Sequence, residues 1–153
     1  MPSLVETVLD LLTGDDPGEG IALAVSYFEQ SLGNTLGLDR PEVLAQPATA
    51  QEVARLRDRL VGLIRSGAQA PVAGAVVFAL GKLYDPGLER FFVEVMRDHL
   101  LRDAGVLYQA MIALDNLGVG VFAGRDSMSA AEVDENRTLA AAFLRGTLAG
   151  DTA

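Results

Sequence analysis

Apolar residues return every three to four positions along nearly the whole chain, and no segment sustains an alternation of apolar and polar residues. That period puts the apolar side chains of each segment on one stripe of a helix, and a stripe of that kind is stable only when another element covers it. The expected fold class is therefore all-α, with about six to seven helices packed on one another. At 153 residues the chain is expected to form a single helical domain over 1–153. Roughly 70% of the unfolded surface is buried at this length, so no disulfide or metal is needed for folding.

Local signals set the helix limits. Ser3 is a good N-cap and predicts a helix to Thr13-Gly14, with Leu4, Val5, Val8, Leu11 and Leu12 on one face. Asp15-Asp16-Pro17 reads as a cap followed by proline in the first turn of a second helix. That helix carries Ile21, Leu23, Ala24, Tyr27, Phe28 and Leu32 inward and stops at Gly33-Asn34. Pro41 and Pro47 then bracket at most one helical turn in a looser stretch, 35–48. Thr49 and Glu52 fit a capping box that opens a helix to about Arg65, with Val53, Leu56, Leu60, Leu63 and Ile64 apolar.

Residues 71–83 are small and apolar almost throughout, which predicts a helix buried on most sides. Asp85-Pro86 caps the next, to about Arg102, with Leu88, Phe91, Phe92, Val95 and Met96 inward. Asp103 caps another over 104–117. After the glycine-rich Gly118 to Gly124, Ser129 and Glu132 fit a second capping box and open a last helix to about Leu148.

Phe78-Ala79-Leu80-Gly81-Lys82-Leu83 and Ile112-Ala113-Leu114-Asp115-Asn116-Leu117 superpose at an offset of 34 residues. The first is followed by Tyr84-Asp85-Pro86 and a second amphipathic helix. This pattern resembles the HEAT-type repeat over residues 72–118. The resemblance implies an α-solenoid: HEAT-like hairpins stacked as a right-handed α-α superhelix fragment, with an irregular helical bundle as the alternative. It also implies a protein-interaction module whose groove is formed by second helices. In this chain the groove residues would be Glu89, Arg90, Glu94, Arg97 and Asp98, on the solvent side of helix 86–102.

The formal net charge is −9, and the acids are concentrated early: residues 1–50 hold eight acids and one base, Arg40. Such a surface is repelled by phosphate backbones, which argues against nucleic acid and suits a basic protein partner. No cysteine is present, which removes thiol nucleophiles, disulfides and cysteine-ligated metals and fits a reducing cytoplasm. The N-terminal residues do not resemble a secretory signal. The longest uncharged run, Ser66 to Gly81, is sixteen residues and is interrupted by Pro71, too short for a membrane span of about twenty.

No residue pattern carries catalysis, and no cofactor or metal is expected. His99 is the only histidine and sits at the edge of an apolar face, with no serine and carboxylate nearby to form a triad. Asp15, Asp16 and Glu19 lack the spacing of a calcium loop and read as helix-capping residues. Gly118–Gly124 lacks the Gly-Lys-Ser/Thr ending of a phosphate loop, which leaves a loop that tucks Val121 and Phe122 into the core, the expected case, or an apolar loop that meets a partner. Arg55, Arg57, Arg59 and Arg65 make one helix basic, and intramolecular pairing with the acidic N-terminal third is the expected use.

The functional expectation is a non-catalytic HEAT-like scaffold or inhibitor. In physical character it resembles small acidic bacterial immunity proteins, which neutralise a basic toxin or enzyme by charge complementarity. The alternative is a bundle holding a small apolar ligand beside helix 71–83. A homo-oligomer is compatible with both, because the open ends of a short solenoid expose apolar surface.

Overall fold

Short polar side chains start the helices where the sequence places them. Ser3 Oγ accepts from the Glu6 amide at 3.2 Å, Asp16 Oδ1 from Glu19 at 3.1 Å, and Thr49 Oγ1 from Glu52 at 3.1 Å. Asp103 Oδ1 accepts from Val106 at 2.9 Å, and Asp85 Oδ1 from Gly87 at 2.9 Å. Each bond satisfies an amide that the helix itself leaves open, worth about 1 kcal/mol.

The computed structural model describes residues 3–33, 40–45, 48–124 and 131–151. Its regular elements are α1 (Leu4–Thr13), α2 (Pro17–Ser31), α3 (Pro41–Leu44), α4 (Ala50–Arg65) and α5 (Ala70–Gly81). A 3₁₀ turn (Pro86–Leu88) leads into α6 (Glu89–His99), followed by α7 (Ala104–Asn116) and α8 (Val133–Asp151). The described residues are all-α, with seven helices of ten residues or more and no strand. The expected six to seven helices are present.

Several boundaries differ from expectation. Proline at 86 starts a 3₁₀ turn, so α6 proper begins only at Glu89 and ends at His99, three residues before Arg102. The last helix starts at Val133; Ser129, its expected cap, lies outside the described residues. Leu32 is 53% exposed because α2 has already ended at Ser31 and Gly33 turns the chain with φ +80°. On α1, Leu9 is buried beside Leu4, Val5, Val8 and Leu12, whereas Leu11 is half-buried.

The chain divides into two compact units, Met1–Leu83 and Tyr84–Ala153. Residues 72–118 run from the first into the second. In the first unit α1 packs on α2, and α2 also meets α3, α4 and α5. Tyr27, Phe28, Leu56, Leu60 and Leu80 are fully buried. The α1–α2 packing depends on Gly20. A Cβ there would stand 3.1 Å from Leu11 Cβ, Leu12 Cγ and the Leu12 backbone nitrogen.

In the second unit α6 packs along α7, and α8 meets both. Phe91, Phe92, Val95 and Met96 on α6 are buried, as are Leu107, Met111 and Leu114 on α7. Arg137 of α8 donates from Nε to the Leu100 carbonyl at 3.0 Å, satisfying an acceptor at the end of α6. The two segments that superpose in sequence agree in burial at two positions and differ at others: Gly81 is buried and Asp115 exposed, Leu83 buried and Leu117 half-buried. Ala79 and Ala113, and Leu80 and Leu114, are buried at matching positions near the ends of α5 and α7. Both helices then exit through a left-handed residue 34 positions apart, Tyr84 (φ 50°) and Gly118 (φ 80°). Glycine takes that conformation freely; a tyrosine is strained in it.

Gly20→Ala tests the α1–α2 packing. Overpacking against a backbone atom costs about 1–3 kcal/mol, and the better helix propensity of alanine offsets about 1 kcal/mol. Urea unfolding should show a net loss of about 1 kcal/mol; a gain in stability would mean that the helices are not held this close.

Candidate interaction surfaces

The outward side of α6 carries the residues expected to meet a partner. Glu89, Arg90, Arg97 and Asp98 are exposed, and Glu94 is half-buried, while the opposite face of the same helix is buried and apolar. The structure thus places all five of these residues on one side of one helix. Their charges are mixed, three acids with two bases.

The basic helix α4 is partly neutralised within the chain. Arg55 reaches Glu6 of α1 at 3.5 Å and Glu52 of its own helix at 3.9 Å, and Arg57 lies 3.0 Å from Asp58. Arg40 holds Glu19 at 3.2 Å. Of the four α4 arginines, Arg55 meets an acid of the N-terminal third, Glu6, as expected, whereas Arg57 pairs with Asp58 on its own helix. Asp16 is spent on capping α2.

Sequence reasoning missed a groove between α1 and α4. It has a volume of about 320 Å³ and is lined by Leu9, Asp10 and Thr13 from α1 and by Asp58, Arg59, Gly62, Leu63 and Ser66 from α4. Positions advance together along the two helices: Glu6 meets Arg55, and residues 9–13 share the groove with 58–66. α1 and α4 therefore run in the same direction. A repeated spacing was the available signal, since Asp10 and Arg59 each lie four residues beyond Glu6 and Arg55. It becomes legible only once the two helices are known to be neighbours.

His99 occupies the last turn of α6, half-buried, with Nδ1 sealed from solvent and unbonded among the described residues. Burial lowers its pKa below the ordinary 6.5, and Arg102 pushes the same way; Asp98 and Asp103 oppose them. On α2, burial raises the pKa of the Tyr27 phenol, and the Glu52 carboxylate adds to the shift. The glycine-rich segment is the other chemically suggestive feature. Val121 and Phe122 are each 1% exposed, with left-handed backbone at Gly118, Ala123 and Gly124. The segment tucks in its two apolar side chains, as expected.

Among the described residues no three His, Asp or Glu side chains gather as a metal site requires, and no helix is long and apolar enough to cross a membrane. Compared with protein-family models, curated proteins and solved structures, the chain matches none.

The lowered pKa of His99 has a consequence for stability. An unfolded chain takes up this proton more readily than the folded one, so stability falls as pH drops from about 6.5 through the lowered folded value, and is fully present above it. Denaturant unfolding between neutral and mildly acidic pH should show a shallower loss for His99→Asn than for the parent chain. Equal slopes would mean that His99 titrates normally.

Proposed function

We propose that this chain is a non-catalytic protein-interaction module, a HEAT-like scaffold or inhibitor that engages a basic protein partner in the cytoplasm. The observation carrying this reading is the uncompensated negative charge. The net charge is −9, and after the internal ion pairs are formed Asp15 remains exposed with no ion-pair partner among the described residues. A surface of this kind speeds encounter with a basic partner and disfavours acidic ones.

The HEAT-like part of the proposal draws support from the burial of Ala79 with Ala113 and Leu80 with Leu114 and from the left-handed exits at Tyr84 and Gly118. Glu89, Arg90, Glu94, Arg97 and Asp98 are the proposed contact residues, presented by a helix whose other side is anchored. Neutralisation of a basic toxin or enzyme, as by an immunity protein, is the specific role that best suits a small acidic helical protein. The alternative of an apolar ligand beside α5 gains nothing from the α1–α4 groove, because α5 contributes no lining residue to it.

Affinity capture from the native host lysate, at low and high salt, tests the proposal. The parent chain should retain a stoichiometric basic protein that salt elutes. Glu89→Gln, Glu94→Gln and Asp98→Asn combined should reduce its retention about ten-fold, the effect of roughly 1.4 kcal/mol. Retention unaffected by salt and by the triple substitution would overturn both the partner chemistry and the surface.

A further inference from the structure

The α1–α4 groove has a charge arrangement that the interaction reading does not use. Along the two parallel helices the first rung is closed, with Arg55 reaching Glu6 at 3.5 Å. One turn further along each helix stand Asp10 and Arg59, on opposite walls of the groove, paired neither with each other nor with any other described residue. The other charge in the lining, Asp58, is engaged by Arg57 at 3.0 Å. Among the described residues the groove thus holds one uncommitted cation and one uncommitted anion.

Its remaining lining completes a pattern. Leu9, buried, and Leu63, half-buried, are the apolar side chains of the lining. A Cβ at Gly62 would meet no atom within 4 Å, so the α4 wall is open there. The Thr13 and Ser66 hydroxyls donate to their own helices, to the Leu9 carbonyl at 2.8 Å and the Leu63 carbonyl at 3.0 Å. Their oxygens are left to act as acceptors. A lone anion in the groove would meet Asp10 and Asp58, and a lone cation would meet Arg59. A molecule carrying both charges satisfies both walls. A volume of about 320 Å³ falls at the small end of the range for small-molecule sites, about 300–1,000 Å³.

We propose that the α1–α4 groove binds a small zwitterion, a free apolar α-amino acid, with its carboxylate on Arg59, its ammonium on Asp10 and its side chain along Leu9 and Leu63. The guanidinium fork matches a carboxylate in two parallel hydrogen bonds. The ammonium is favoured by Asp10 and by the negative ends of α1 and α4, which both finish near the groove. This site is independent of the proposed protein partner, and either can fail without the other.

Amide chemical shifts of the full chain, titrated with L-leucine, N-acetyl-L-leucine and L-leucinamide, test it. L-Leucine should give saturable shifts in α1 and α4. The acetylated probe lacks the ammonium and the amide probe lacks the carboxylate, so each should bind at least about ten-fold more weakly. Asp10→Asn and Arg59→Gln should each weaken leucine by about ten-fold without changing the thermal melt, and Gly62→Leu should block the groove. The absence of saturable shifts at the solubility limit of leucine would overturn the proposal. So would equal response to all three probes, or leucine binding unchanged in Gly62→Leu.

Discussion

An amphipathic helix cannot cover its own apolar stripe, and every later feature of this chain follows from how that stripe is covered. Without cysteine, the chain relies on helix packing rather than on cross-links. α1 lies against α2 because Gly20 removes the side chain that would hold them apart. α6 lies along α7, with Phe91, Phe92, Val95 and Met96 of α6 and Leu107, Met111 and Leu114 of α7 buried. Full burial of one such side chain contributes about 1.5–3 kcal/mol, against about 0–1 kcal/mol for an exposed ion pair such as Arg55–Glu6. Packing therefore carries the fold, and the charges are left to shape what the surface can meet.

That division explains the electrostatics. The pairs Arg40–Glu19, Arg55–Glu6 and Arg57–Asp58 neutralise part of the surface locally and leave the chain strongly negative. Charges left unpaired include Asp10 and Arg59 at the α1–α4 groove and Asp15 at the α1–α2 corner. Groups of that kind add little to stability, and they remain available to a partner or a small charged molecule.

Much of the fold is legible in the sequence because its signals are local. Ser3, Asp16, Thr49 and Asp103 cap the helices they were expected to start, each through a bond spanning three residues. The inward residues of α6 follow directly from the 3.6-residue period. Misplaced features depend on neighbours distant in sequence or on chain geometry at an end. Leu32 points outward because α2 stops one residue earlier, and Leu9 is buried more deeply than Leu11 on the same helix. The five α6 charges were legible as an outward set. The groove was not, because its two walls are some fifty positions apart and no local pattern links Asp10 to Arg59.

Gly118–Gly124 most directly tests whether suggestive sequence here serves packing. Glycines in that density invite a ligand-binding reading, yet they supply the left-handed turns that bury Val121 and Phe122. The decisive measurement is the unfolding free energy of Phe122→Ala. If Phe122 is a structural anchor, the substitution should cost about 3–5 kcal/mol, as for a large side chain removed from a core. A loss below about 1 kcal/mol, the size of a surface change, would contradict burial of the loop and return it to the surface as a candidate binding element.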